Sequence, residues 1–152
     1  MRTRRAQHRL AAYVIDDIFW EHTYAPDAAD VACPRTGKWL LFTSPEHHDE
    51  VWLKIKDATE AGSLGYAAKT TSRSRPDYRS LRGMLSCVYT YDFEDHGDLR
   101  RVLAELRRLG FTARLSYKTD EDTLEGHYGK GTSAYVSQPG SLDFEDRRSS
   151  SR

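Results

Sequence analysis

Two periodicities alternate along this chain of 152 residues, and together they predict its elements. Lys38 to Thr43 (KWLLFT) is a short apolar run between Gly37 and Pro45, which predicts a strand. Ser44 ahead of Pro45 then predicts a helix start, with serine as N-cap and proline in the first turn. Val51, Trp52, Ile55 and Ala58 form one stripe of that helix, Glu46, Asp49 and Glu50 load the end where the helix dipole favours acids, and Gly62 stops it. Tyr66 to Thr71 and Leu85 to Tyr91 read as strands, the second through its β-branched and aromatic content, with a polar loop between them. From Asp98 to Leu109 the stripe Leu99, Val102, Leu103, Leu106, Leu109 is unbroken, four arginines fall on the opposite side, and Gly110 stands where a left-handed cap belongs. Ala113, Leu115 and Tyr117 then alternate with Thr112, Arg114 and Ser116, which predicts a strand over Thr112 to Tyr117.

The order β-α-β-β-α-β implies an α+β fold, a mostly antiparallel curved sheet with helices packed on one face. Three segments are expected. Residues 1–36 form an N-terminal extension: an arginine-rich disordered start to Arg9, a short helix over Leu10 to Trp20, and a surface connection from Tyr24 to Gly37 with two prolines. Residues 37–137 make a single domain, in which Asp120 to Gly126 adds one helical turn. Residues 138–152, mostly Asp, Arg and Ser, form a disordered tail.

Composition narrows the function classes. Only 38% of residues are hydrophobic and 30% are charged, so some of the chain lies outside a core. No apolar run approaches the about 20 residues that span a bilayer, and no signal-peptide core is present, which places the chain in the cytosol without a membrane partner. Lys+Arg and Asp+Glu are both 23, so any anion or nucleic-acid contact must come from a local basic patch. Two cysteines, Cys33 and Cys87, build neither a disulfide framework nor a metal site, and the histidines show no metal-ligand spacing, so no metal or cofactor is expected.

The local patch is Lys69 to Arg82, KTTSRSRPDYRSLR, with Lys69, Arg73, Arg75, Arg79 and Arg82 against the single acid Asp77. Guanidinium forks match phosphate oxygens two at a time, and the Ser and Thr hydroxyls complete such a shell. The plain alternative pairs these arginines with the acidic stretch Asp92-Phe93-Glu94-Asp95. Lys69 and Lys118 differ from the arginines because each sits in or at the end of a strand, where desolvation and neighbouring cations lower a lysine's pKa toward use as a base. Each also fits the edge-strand lysine that deters aggregation. Gly126-His127-Tyr128-Gly129-Lys130-Gly131 is a glycine-rich loop able to bring backbone N–H groups, His127 and Lys130 to an anion, although it lacks the Walker spacing.

The ordered set GKWLLF, EVWLKI, GSLGYAAK, CVYTYDF, SYKTDEDT and GHYGKG, over about residues 37–137, resembles a bacterial phosphothreonine lyase domain family and the related basophilic leukaemia expressed protein family. The resemblance implies the fold of the cap-binding translation initiation factor. It also implies, residue by residue, that Lys118 in YKTD stands where the lyases hold their base lysine and that Lys69 stands for the lysine of their Lys-x-His motif. Thr71 occupies the position of that histidine, so the general acid would have to be His127 or Tyr128.

Two functions follow as expectations. One is a metal-independent lyase on phosphothreonine or phosphoserine, with Lys118 as base, His127 as acid, and Lys69, Arg73, Arg75, Arg79 and Lys130 holding phosphate. The other is a non-catalytic module that binds a nucleotide, a phosphorylated peptide or a small phospho-ligand, with Trp39, Trp52 or Tyr89 stacking on a base.

Overall fold

The computed structural model describes residues 18–28, 35–121 and 133–148. Seven strands form one sheet: β1 (Trp20–Tyr24), β2 (Gly37–Thr43), β3 (Ala67–Thr71), β4 (Met84–Thr90), β5 (Leu115–Thr119), β6 (Tyr135–Ser137) and β7 (Glu145–Asp146). Their order in space is β1-β3-β4-β2-β5-β6-β7, and every neighbouring pair is antiparallel. Among the described residues the helices α1 (His48–Glu60) and α2 (His96–Arg108) pack on the same face, and a further helical assignment starts at residues 120–121, the rest of the turn expected to residue 126 lying outside the described residues. The α+β architecture and the β-α-β-β-α-β core are therefore as the sequence pattern predicts.

Period-2 alternation decides what each face carries. Ala68, Val88, Trp39, Tyr117 and Tyr135 are opposite one another along a single row, and they meet Trp52, Ile55 and Ala58 of α1 and Leu99, Val102, Leu103 and Leu106 of α2 in one core. Each fully buried side chain of that size contributes roughly 1.5–3 kcal/mol. Trp39 and Tyr117 meet edge to face at 5.2 Å, and the Tyr117 hydroxyl shares a 2.5 Å hydrogen bond with Thr90.

Several boundaries differ from the sequence pattern, each for a local reason. Ser44 is extended ahead of Pro45 but its side chain caps nothing; a 3-10 turn over Pro45–His47 precedes α1. Asp95 caps α2 instead, accepting from the Asp98 backbone N–H at 3.1 Å, so the helix begins two residues earlier than its apolar stripe suggests. The strand expected from Thr112 begins at Leu115, because the Arg107 guanidinium draws the carbonyls of Phe111 and Ala113 out of ladder geometry, at 2.8 and 2.5 Å. Leu115 and Tyr117 still face the core, so the phase of the alternation was legible although its start was not.

The sheet also reaches beyond residues 37–137. Trp20–Tyr24, assigned to the N-terminal extension, is a strand paired with β3, and Glu145–Asp146, assigned to the tail, is a strand paired with β6. Arg148 secures the latter through Asp146, Glu94 and the Tyr135 hydroxyl. The helix read from Leu10 lies outside the described residues as far as residue 17, and Trp20 at its end belongs to β1. Among the described residues no helix is long and apolar enough to cross a membrane.

Candidate functional site

Among the described residues α1 and α2 cover one face of the sheet, and the candidate side chains lie on the opposite face. In register across it run Tyr24, Ala67, Tyr89, Lys38 and Lys118. The adjacent row holds His22, Lys69, Cys87, Leu40 and Ser116. Residues directly opposite in an antiparallel pair share a face with Cβ atoms about 5 Å apart, so Lys38 and Lys118 are immediate neighbours. Ala67, Cys87 and Tyr89 form a small apolar cluster of their own, joined by Tyr24, Leu40, Tyr66 and Leu85. The face is thus an aromatic patch flanked by three lysines.

Burial makes these lysines unusual. Lys38 is 7% and Lys118 8% exposed, and lysines are almost never so covered unless their charge is compensated. The Lys38 ammonium bonds the Asp120 carboxylate at 2.7 Å and lies 5.7 Å from the Tyr89 ring centroid. Lys69 holds its ammonium 4.1 Å from the Trp20 ring, a cation–π contact. Burial pushes the Cys87 thiol up to about 11, against the pull of Lys69 and Lys38 on either side, so this cysteine stays a neutral packing group.

The residues picked out from sequence do not all meet here. Lys69 and Lys118 share the face, but β4 and β2 stand between their strands, three steps of about 4.8 Å, and the direct neighbour of Lys118 is Lys38. Arg73 pairs with Asp49 of α1. Arg75 pairs with Asp77 at 2.5 Å and lies over the Phe19 ring. Arg79 is exposed. The acidic stretch takes other partners: Asp92 bonds Arg35 and Glu94 bonds Arg148. His127 and Lys130 lie outside the described residues. Thr71, at the histidine position of the lyase motif, accepts from the Leu85 backbone N–H at 3.0 Å. The three rings offered for base stacking are all buried, Trp39, Trp52 and Tyr89 at 0%, 6% and 9% exposure, and of them Tyr89 lies on this face while the two tryptophans belong to the core under the helices.

Lys38 and Asp120 were not singled out from sequence. The signal for Lys38 was present, because inward Trp39 and Leu41 force Lys38 to the opposite face once the run is read with period 2. Among the described residues no group of three or more His, Cys, Asp or Glu side chains could hold a metal ion.

Round the end of β3 lies a separate cleft of about 350 Å³, lined by Glu21, His48, Trp52, Thr71, Ser72 and Arg73 among others. His48 is buried at its floor, with Nε2 at 2.9 Å from the Thr70 hydroxyl and Nδ1 at 3.2 Å from the Tyr78 hydroxyl, and Thr70 passes the chain on to Ser86 at 2.7 Å. Burial first, and then Arg73, hold the His48 pKa below its ordinary value, with Glu21 opposing. A depressed histidine pKa contributes stability that is fully present above the unfolded value near 6.5 and is lost as pH falls below it. The melting temperature should therefore drop between pH 7.5 and 5 more steeply in wild type than in His48→Gln, which keeps a hydrogen-bonding side chain without the titration. Equal slopes would show that His48 does not set the dependence.

Of the two families that the motifs resemble, comparison with known proteins supports the basophilic leukaemia expressed protein family. The family model described as Basophilic leukemia-expressed protein Bles03 matches residues 23–123. Among solved structures, C. elegans eIF4E-3, in complex with the 4E-binding protein Mextli and cap analog, aligns with a TM-score of 0.45 and 20% identity over 60% of this chain and 54% of that one. Ascaris suum eIF4E-3, solved with m2,2,7G cap, aligns with a TM-score of 0.40 and 16% identity over 56% of this chain and 51% of that one. The chain spans about half the length of these structures.

Proposed function

The chain belongs to the Bles03 family, and we propose that it is a binding module for a small ligand joining a phosphate to an aromatic ring, the chemistry of a nucleotide. The observation that carries this reading is the sheet face opposite α1 and α2, where Lys38, Lys69 and Lys118 flank a patch of Tyr24, Tyr66 and Tyr89. Ammonium groups donate charge-assisted hydrogen bonds to phosphate oxygens, and tyrosine faces accept a ring by stacking, at roughly 1–3 kcal/mol per base. Side chains set on regular strands are held more firmly than side chains on a loop.

A second reading, the phosphate-eliminating lyase, is favoured by one observation: Lys118 is buried and in register with another cation, Lys38. In that reaction Lys118 would take the Cα proton of phosphothreonine, the Cα–Cβ double bond would form, and the Cβ–O bond would break with its electron pair leaving on phosphate. Thr71, tied to the Leu85 backbone, supplies no acid for the departing oxygen, which favours the binding module.

Titration of the full chain with nucleoside 5′-monophosphates, inorganic phosphate and a phosphothreonine peptide, followed by mass spectrometry of the peptide, tests both. Saturable nucleotide binding with an unaltered peptide is the expected result. A dehydrated peptide that disappears in Lys118→Arg would establish the lyase instead, since arginine keeps the charge and loses the base. No binding of any phosphate compound would end both readings.

A further inference from the structure

We propose that Asp120 is a built-in competitor of the ligand, its carboxylate holding on Lys38 the place that a phosphate oxygen takes when the site fills. This rests on the binding reading above. Asp120 directly follows β5, with its backbone N–H donating to the Thr36 carbonyl at 2.8 Å, so its position beside the start of β2 is fixed by the backbone. From there its Oδ1 reaches the Lys38 ammonium at 2.7 Å, within the range of a strong charge-assisted bond. The two partners differ in cover: the Lys38 side chain is 9% exposed and that of Asp120 32%. The lysine is therefore built into the face, whereas the carboxylate sits at its rim and is the group that can be exchanged outward.

The arrangement has two consequences. Burying a lysine costs several kcal/mol in desolvation, and the Asp120 contact offsets part of that cost while the site is empty. It also means that ligand binding is an exchange of one anion for another. A tethered carboxylate acts at an effective concentration of about millimolar or higher, so weakly held anions in solution do not displace it. A phosphate group, with more oxygens and more charge to offer to Lys38 and its register neighbour Lys118, is the ligand chemistry suited to win. Asp120 thus sets the affinity threshold of the site.

Calorimetric titration of wild type, Asp120→Asn, Asp120→Ala and Lys38→Met/Asp120→Asn with a nucleoside 5′-monophosphate and with inorganic phosphate tests this. Asn keeps the size of the side chain and loses its charge, and Ala guards against a new hydrogen bond from the amide. Both single variants should bind about tenfold more tightly than wild type, with a lower melting temperature when no ligand is present. The gain should vanish in the double variant. Equal or weaker binding by Asp120→Asn and Asp120→Ala, with wild type still binding, would overturn the competitor role and make Asp120 an anchor that positions Lys38. Absence of binding by wild type and all variants would instead overturn the binding module, and the competitor with it.

Discussion

Gly37→Ala is expected to destabilise the protein by about 3 kcal/mol and to lower its melting temperature by about 10 °C. Gly37 opens β2, opposite Thr90 of β4 and Thr119 of β5, and a methyl group there would fall within the Tyr117 ring. The ring cannot move aside cheaply. Tyr117 is fully buried, meets Trp39 at 5.2 Å and Tyr135 at 5.5 Å, and its hydroxyl is hydrogen-bonded to that of Thr90. Burial pushes the Tyr117 phenol far above its ordinary pKa, so no ionised state helps it leave. Relief must come through the backbone of the two central strands. Chemical denaturation of Gly37→Ala, Tyr117→Leu and the double variant checks this, because the double should lose less than the sum of the singles. A Gly37→Ala protein within about 0.5 kcal/mol of wild type would show that the close approach is not a constraint.

The same residues show what the sequence could and could not reveal. Helix α2 was legible because its apolar stripe, its wet arginines and Gly110 all point to one element, and Gly110 does adopt a positive φ of 101°. Strands β1 and β7 were not. They are short edge strands whose polar composition, WEHTY and ED, resembles loop, and only pairing with β3 and β6 makes them strands. Lys69 and Lys118 stand out in the sequence as cations inside strand patterns, and both lie in strands. Which lysine each would meet depends on strand order, and the order β3-β4-β2-β5 places Lys38 rather than Lys69 beside Lys118. The partners of the arginines of 73–82 were hidden for a related reason. Counting charge along the chain could not foresee that Asp49, 24 positions earlier on α1, would take Arg73.

If the face opposite α1 and α2 holds a phosphate, removing its charges one at a time should rank them by their place in the sheet. Lys38→Met keeps the buried stem and deletes the ammonium, so the fold should survive while ligand affinity falls about 30-fold, the equivalent of about 2 kcal/mol for one charge-assisted bond. Lys118→Met should match it, because the two residues are opposite each other and address the same group. Lys69→Met should cost less, about tenfold, since this lysine sits one row and two strands away from Lys38 and already rests on the Trp20 ring. Arg73→Met should leave affinity unchanged, its guanidinium being held by Asp49 beside α1. Rising salt should weaken wild type more than Lys38→Met, since fewer charges then remain to be screened. A series in which Arg73→Met loses as much as Lys38→Met would move the phosphate grip to the loop after β3, as the cluster of basic residues from Lys69 to Arg82 first suggested.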